Sequence, residues 1–475
     1  MKGTMGTMGR RQAGRRGGEA RGGPEREEAG VDRPRGGSAP VGGARVGAAA
    51  ARAASPSAGD AAARAASPSA GDEAMRAAEA PGEEDRMNEE TGSMGHVVGS
   101  GGGERARAEV RVIASPTSWI EGEAVRQLET TAELAGMRAA IGMPDLHPGK
   151  GSPIGAAYVC EGRIYPHLVG NDIGCGMALW RTDLARRKAK VDRWVGRLED
   201  LEGPWSGDAA GLLAARGVAT SGHEAALGTV GGGNHFAEVQ AVESVEDAAA
   251  FSALGLERER LVLLVHSGSR GLGESILRAH VDRFAGAGVA SDGEDARAYL
   301  ERHDHAIAWA RVNRELCARR LAAAIGGEVE RAIDVCHNCV TAAPEGQGCW
   351  LHRKGAAPSI EGPVVIPGSR GTLSYLFLPD PSRREGGWSL AHGAGRKWRR
   401  SDVRARLEGR YRPSDLERTA LGGRVVCDDR ELLYEEAPEA YKKIDAVVGD
   451  LVAAGLGTVI ATLRPILTFK TRRRR

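Results

Sequence analysis

The chain reads as a mixed α/β (α+β) protein with a single folded domain over residues 108–475, preceded by a disordered low-complexity arm over residues 1–107. Two observations lead there. Nothing before residue 108 can build a core, and after it short apolar runs of strand length alternate with segments of helical period. The mixture implies sheets flanked by helices, with the chemistry carried on loops.

From Met1 to Arg107 there is no Leu, Ile, Phe, Tyr, Trp or Cys, so burial there cannot offset the entropy of ordering. A proline-broken segment, Ala51–Asp60, recurs as Ala63–Asp72, which reads as linker and not as a structural repeat. Near the start there is no apolar core of an export signal, and Glu25, Glu27, Glu28 and Asp32 argue against a transit peptide. The segment is either a flexible arm or lies upstream of a true start such as Met87 or Met94. Charge is balanced on both sides, 16 Lys/Arg against 15 Asp/Glu up to Arg107 and 49 against 48 beyond it. Gross charge therefore says little about a polyanionic partner; the local clusters Arg396–Arg400 and Arg472–Arg475 read either as a surface for one or, as charge runs usually do, as solvated faces. Seven scattered cysteines without an export signal imply reduced thiols and a cytoplasmic setting. No apolar run reaches the length of about eighteen residues that a membrane span needs.

Taken in order, Val110–Ile113 is the opening strand, and Glu121–Leu134 a helix with Val125, Leu128 and Ala132 on its apolar face, stopped at Gly136. Gly142–Gly155 is too rich in Gly and Pro for regular structure, and its Gly149-Lys150 pair lacks the companions of a phosphate loop. Leu261–Val265 is a buried strand ending at His266. Gly271-Leu-Gly273 lacks the third glycine of a dinucleotide fingerprint. A long helix covers Ala298–Ala324, and strands are expected at Val364–Ile366 and Thr458–Phe469.

The chemistry centres on Val169–Met177, a tight loop that sets the hard donor Asp172 three residues from the soft donor Cys175 between glycines. Alone, this is more ordinarily a buried thiol beside a turn-forming Asp. Four histidines change the balance, each beside small residues: His235, His266, His337 and His392. Three imidazoles, a carboxylate and a thiolate would supply a pair of divalent ions and leave positions open for phosphate oxygens, with the fourth histidine free for chemistry. Spacing does not say which one that is. Cys336-x-x-Cys339 followed by Cys349-x-x-His352 competes as a structural zinc pattern.

Met143-Pro-Asp-Leu-His147, Asp172-Ile-Gly-Cys-Gly176, Gly232-Gly-Asn-His235, His266-Ser-Gly-Ser-Arg-Gly271, His337-Asn338, His352-Arg-Lys-Gly-Ala356, Pro367-Gly-Ser369 and His392-Gly-Ala-Gly-Arg396 occur in the order seen in RtcB-type RNA ligases. Residues from about 110 to 470 resemble that family throughout. The resemblance implies an enzyme that joins RNA 3'-phosphate or 2',3'-cyclic phosphate ends to 5'-hydroxyl ends with GTP and two Mn²⁺ ions. It maps the metal ligands onto Asp172, Cys175, His235, His266 and His337, and the guanylylated nucleophile onto His392. Nucleotide-binding positions map onto Asn234, Glu238, Ser369, Gly393, Ala394, Gly395 and Lys470, while Arg270 and His352 also look like site residues. Arg370 stands where many members carry Met, and the chain continues past Lys470 with further arginines. With Trp119–Ala124 upstream, these features look more like a shorter bacterial branch linked to a release-factor-like partner and ribosomal RNA repair. The rival readings are a metal-dependent phosphoesterase without guanylylation and an RNA-binding protein held by structural zinc.

Overall fold

The computed structural model describes residues 108–198, 201–346 and 348–472; the arm over residues 1–107 lies outside them. Among the described residues, strands form two large sheets and two short ribbons. The first sheet has the order β1 (Glu109–Val112), β2 (Met137–His147), β3 (Ile154–Glu161), β11 (Cys349–Lys354), β10 (Asn338–Ala342). The second runs β13 (Val364–Ile366), β14 (Ser374–Pro379), β17 (Gly457–Thr471), β6 (Phe236–Val245), β7 (Arg260–Ser267), β5 (Gly176–Ala185), β9 (Val329–Cys336), with β16 (Arg424–Cys427) parallel beside β17. Ribbons pair β4 (Arg163–Ile164) with β8 (Val289–Ala290) and β12 (Ala356–Pro358) with β15 (Ser389–Ala391). The mixed architecture is the one the sequence implies.

Strand β7 explains its own continuous apolar run, because both faces of the second sheet are covered. Leu264 and Val262 face the first sheet, packing in one cluster with Ile141, Val159 and Leu351. Leu261, Leu263 and Val265 face the helix Glu294–Ile325, whose Cys317, Leu321 and Ile325 complete the other cluster. That helix starts four residues before the sequence-based estimate, on Glu294 and Asp295 where acids favour a helix N-terminus, and ends at Gly326 in the left-handed conformation. The first helix, Gly122–Ala132, buries Ala124, Leu128 and Thr131, a stripe turned slightly from the expected one.

The stretch Gly142–Gly155 is more regular than its composition suggests. Strand β2 runs on through His147 and β3 begins at Ile154. The register slips between the Gly142–Ala156 pair and the His147–Ile154 pair, so Gly and Pro are absorbed in an irregular bulge that carries Asp145. No helix of the described residues is long and apolar enough to cross a membrane.

Candidate active site

Register alone gathers most of the site. In the second sheet His266 pairs with Met177 on one side and with Phe236 on the other, and Gly176 pairs with Cys336. Cys175, His235, His266 and His337 therefore sit at the same end of four neighbouring strands. The amide of His337 donates to the carbonyl of Cys175, 2.9 Å away, which ties two of them directly. Gly174 has to be glycine: its φ is +77°, and a Cβ would lie 2.9 Å from the backbone of Ile307 on the long helix.

The side chains converge. Cys175 Sγ lies 3.3 Å from His235 Nε2 and 3.1 Å from His266 Nε2. His266 Nε2 is 3.3 Å from His337 Nε2, and His235 Nε2 is 2.9 Å from Asp172 Oδ2. Donors that share an ion at about 2.0–2.3 Å stand roughly 3.3 Å apart, so these separations fit a cation among them. Cys175, His235 and His266 form the tightest group, and all three are buried. Burial pushes His266 and His337 well below the ordinary imidazole value, with neighbouring histidines adding to the effect, so both are neutral and able to ligate. Burial and then Asp172 push the Cys175 thiol up, a penalty that a bound cation would remove. Burial also works against the Asp172 carboxylate, but His235 and Arg270 outweigh it and hold that group below its ordinary value.

Arg314, fully buried on the long helix, anchors this end of the sheet. One guanidinium nitrogen donates to the carbonyls of Gly174 and Ser267, at 2.7 and 2.9 Å, and the others bind Asp334 at 2.6 and 2.9 Å. Those carbonyls flank Cys175 and His266 in sequence. Arg270 lies 3.2 Å from His235 Nδ1, on a backbone with φ of 59° that a non-glycine residue adopts only under constraint.

His392 follows β15, with its ring centroid 4.8 Å from that of His337. Asp145, from the bulge in β2, places Oδ2 2.7 Å from His392 Nδ1 and accepts from the His392 amide at 3.2 Å. The ring nitrogen is close enough for ion pairing although it is out of line for a hydrogen bond, and the other Asp145 oxygen is without a partner. Gly355 makes room for the ring, since a Cβ there would lie 2.9 Å from its edge. The sequence does not reveal this role for Asp145, because one carboxylate in a string of Gly and Pro carries no signal of what it faces.

His392 and His266 open onto a cleft of about 700 Å³, whose wall also contains Asn234, Glu238, Ser369, Gly393, Ala394, Gly395 and Lys470. Glu238 is buried and accepts from Thr468 Oγ1 at 2.5 Å and Gln240 Nε2 at 2.6 Å. In the same wall, Glu436 receives Arg400 at 2.6 Å, Arg396 at 3.2 Å, Lys470 at 3.3 Å and the Tyr441 hydroxyl at 2.5 Å. Burial would raise its carboxyl, but Lys470, Arg400 and Arg396 hold it down at about 2. Neither Glu436 nor its partnership was visible in the sequence, where these groups have no common spacing.

Two expectations end elsewhere. His352 lies buried on β11, where its Nε2 accepts from the Tyr165 amide at 2.9 Å, outside the cleft wall. The zinc pattern does not assemble, because Cys339 pairs with Arg353, four residues along β11 from Cys349, a separation of roughly 13 Å.

Comparison with known proteins finds relatives along most of the described chain. The family model described as tRNA-splicing ligase RtcB matches residues 127–207 and 208–471. An Escherichia coli protein named RNA-splicing ligase RtcB2 is 48% identical over 362 residues, covering 76% of this chain and 95% of the relative. RNA-splicing ligase RtcB of Mycobacterium tuberculosis is 31% identical, over 72% of this chain and 99% of its own length. The tRNA-splicing ligase RtcB of Archaeoglobus fulgidus is 29% identical over 73% of this chain and 91% of its own. The match spans the sheet ends, the donor cluster and the cleft alike, and the chain belongs to the RtcB family.

Proposed function

We propose that this protein is a GTP-dependent RNA ligase, its catalytic domain covering residues 108–475, that joins RNA 3'-phosphate or 2',3'-cyclic phosphate ends to 5'-hydroxyl ends through a guanylylated His392. The observation that carries the proposal is the placement of His392: its ring is against the donor cluster on one side and forms the wall of a nucleotide-sized cleft on the other. Asp172, Cys175, His235, His266 and His337 would hold two Mn²⁺ ions, which when bound supply Lewis-acid charge for phosphoryl transfer.

Each remaining part has a task. Asp145 at Nδ1 leaves Nε2 of His392 as the nucleophilic nitrogen and offsets the positive charge that the ring acquires. The Nε2 lone pair attacks the α-phosphorus of GTP, and the bond to the bridging oxygen breaks to release pyrophosphate. An oxygen of the RNA 3'-phosphate then takes the guanylyl group and frees His392. The 5'-hydroxyl attacks the activated phosphate, loses its proton and expels GMP; a cyclic phosphate is first opened by water. Seven cationic side chains against three carboxylates in the cleft wall favour the anionic substrates. Asn234, Glu238, Ser369, Gly393, Ala394, Gly395 and Lys470 would contact the nucleotide. A cytoplasmic setting, ribosomal RNA as substrate and a release-factor-like partner belong to the same reading, supported by the resemblance to the shorter bacterial branch.

The test is incubation with α-labelled GTP and Mn²⁺. Label that survives denaturation and is lost in His392→Ala supports the proposal. An unlabelled protein that still releases phosphate from RNA ends would instead be a phosphoesterase.

A further inference from the structure

A second groove, of about 550 Å³, opens beside the cleft and shares Glu121, Lys397, Trp398 and Arg399 with its wall. Its other lining includes Trp119, which is 53% exposed and is the one aromatic among the exposed large hydrophobic side chains of the described residues. Leaving an indole in water forgoes the free energy of burying it, and here the backbone just before it is anchored. The preceding Ser118 donates to Asp450 at 2.5 Å and closes a turn onto the Ser115 carbonyl at 3.0 Å.

Cations surround both indoles. Lys442 Nζ lies 5.9 Å from the Trp119 ring centroid, and Lys397 Nζ and Arg406 Cζ lie 4.8 and 5.1 Å from that of Trp398. The acids that face them are Glu121 and Asp402, while Glu123 is paired with Arg399. Lys442 also donates to the carbonyls of Pro144 and Leu146, on either side of Asp145, so the groove and the His392 support share a strut.

One exposed indole, Trp119, beside a half-buried one, Trp398, with Lys and Arg between them in a groove leading to the cleft, matches the chemistry of an unpaired nucleic-acid strand. Bases stack on the rings irrespective of sequence, and the cations follow the phosphates. We propose that this groove is a stacking subsite for an unpaired RNA nucleotide next to the ends being joined, with Trp119 as its platform. This inference rests on the ligase reading above. It predicts that the enzyme needs a single-stranded nucleotide beside the junction and tolerates any base there.

The experiment uses the full chain and short RNAs carrying 2-aminopurine at successive positions from either a 3'-phosphate or a 5'-hydroxyl end. With the wild-type protein, fluorescence should be quenched at one position of one strand, and Trp119→Ala should abolish the quench. The same variant should raise KM for RNA about tenfold while leaving GTP labelling of the protein at the wild-type rate, and Trp119→Phe should restore most of the affinity. Unchanged KM and unchanged quenching in Trp119→Ala overturn the proposal. Because the quench is read without GTP, failure of the wild-type protein to take up label would refute the ligase reading separately.

Discussion

Replacing Asp145 by Asn tests the central geometric claim, that a buried carboxylate sets the reacting nitrogen of His392. The substitution keeps the shape of a fully buried side chain and removes its charge, so melting should change little. Catalysis should not be spared. Asn can offer its amide hydrogens to Nδ1, which favours the tautomer protonated at Nε2, the nitrogen that must attack; it also leaves the ring's developing charge uncompensated at 2.7 Å. A carboxylate that orients an imidazole in this way is worth up to about 10⁴ in rate, and the poor alignment of this pair suggests roughly 10²–10⁴ here, or about 3–5 kcal/mol. Single-turnover labelling with α-labelled GTP, at saturating GTP and Mn²⁺, reads that step directly. Labelling within fivefold of wild type would refute the argument, and His392 would then owe its orientation to Gly355 and β15 alone.

Three other perturbations probe the supports. Arg314→Met strands the Asp334 carboxylate and two buried carbonyls, and should cost about 3–5 kcal/mol in urea unfolding; a loss under 1 kcal/mol would show that the clamp is dispensable. Cys175→Ala should weaken Mn²⁺ binding at least about a hundredfold by calorimetry, and an unchanged isotherm would remove the thiol from the donor set. The folded carboxyl of Glu436, held at about 2, is depressed below its ordinary 4.5, so its contribution is present above pH 4.5 and is lost as pH falls through about 2. That amounts to about 3 kcal/mol across the window, and Glu436→Gln should flatten it in acid unfolding; wild-type and variant curves that run parallel from pH 5 to 2 would contradict the assignment.

What could be read in advance followed the strength of local pattern. Leu261–Val265 announced a strand buried on both faces, and the long helix carried its own acidic start and glycine stop. The donors were readable because Asp172, Cys175 and the histidines stand in short strings whose small neighbours do little else. Pairings between distant segments left no such trace. Glu436 and Arg400 meet through tertiary structure alone, and the register that brings His266 between Met177 and Phe236 is set by packing, not by either string. Spacing also misled: Cys336, Cys339, Cys349 and His352 look like a knuckle in one dimension, but they fall on three strands, and the register of β10 with β11 carries Cys349 away from Cys339.

The position of β17 also bears on how the molecule is made. It pairs with β6 across more than two hundred residues of chain, joining Ala461 to Val245 at one end and Phe469 to Ala237 at the other. Until it arrives, β6 is a bare border of four assembled strands, with unpaired amides and carbonyls open to any extended chain nearby. Such long-range closure is slow. Dilute, chaperone-assisted or slow refolding should therefore recover active protein where rapid concentration of the denatured chain yields aggregate, and a peptide copying Thr458–Phe469 should compete for that border during refolding.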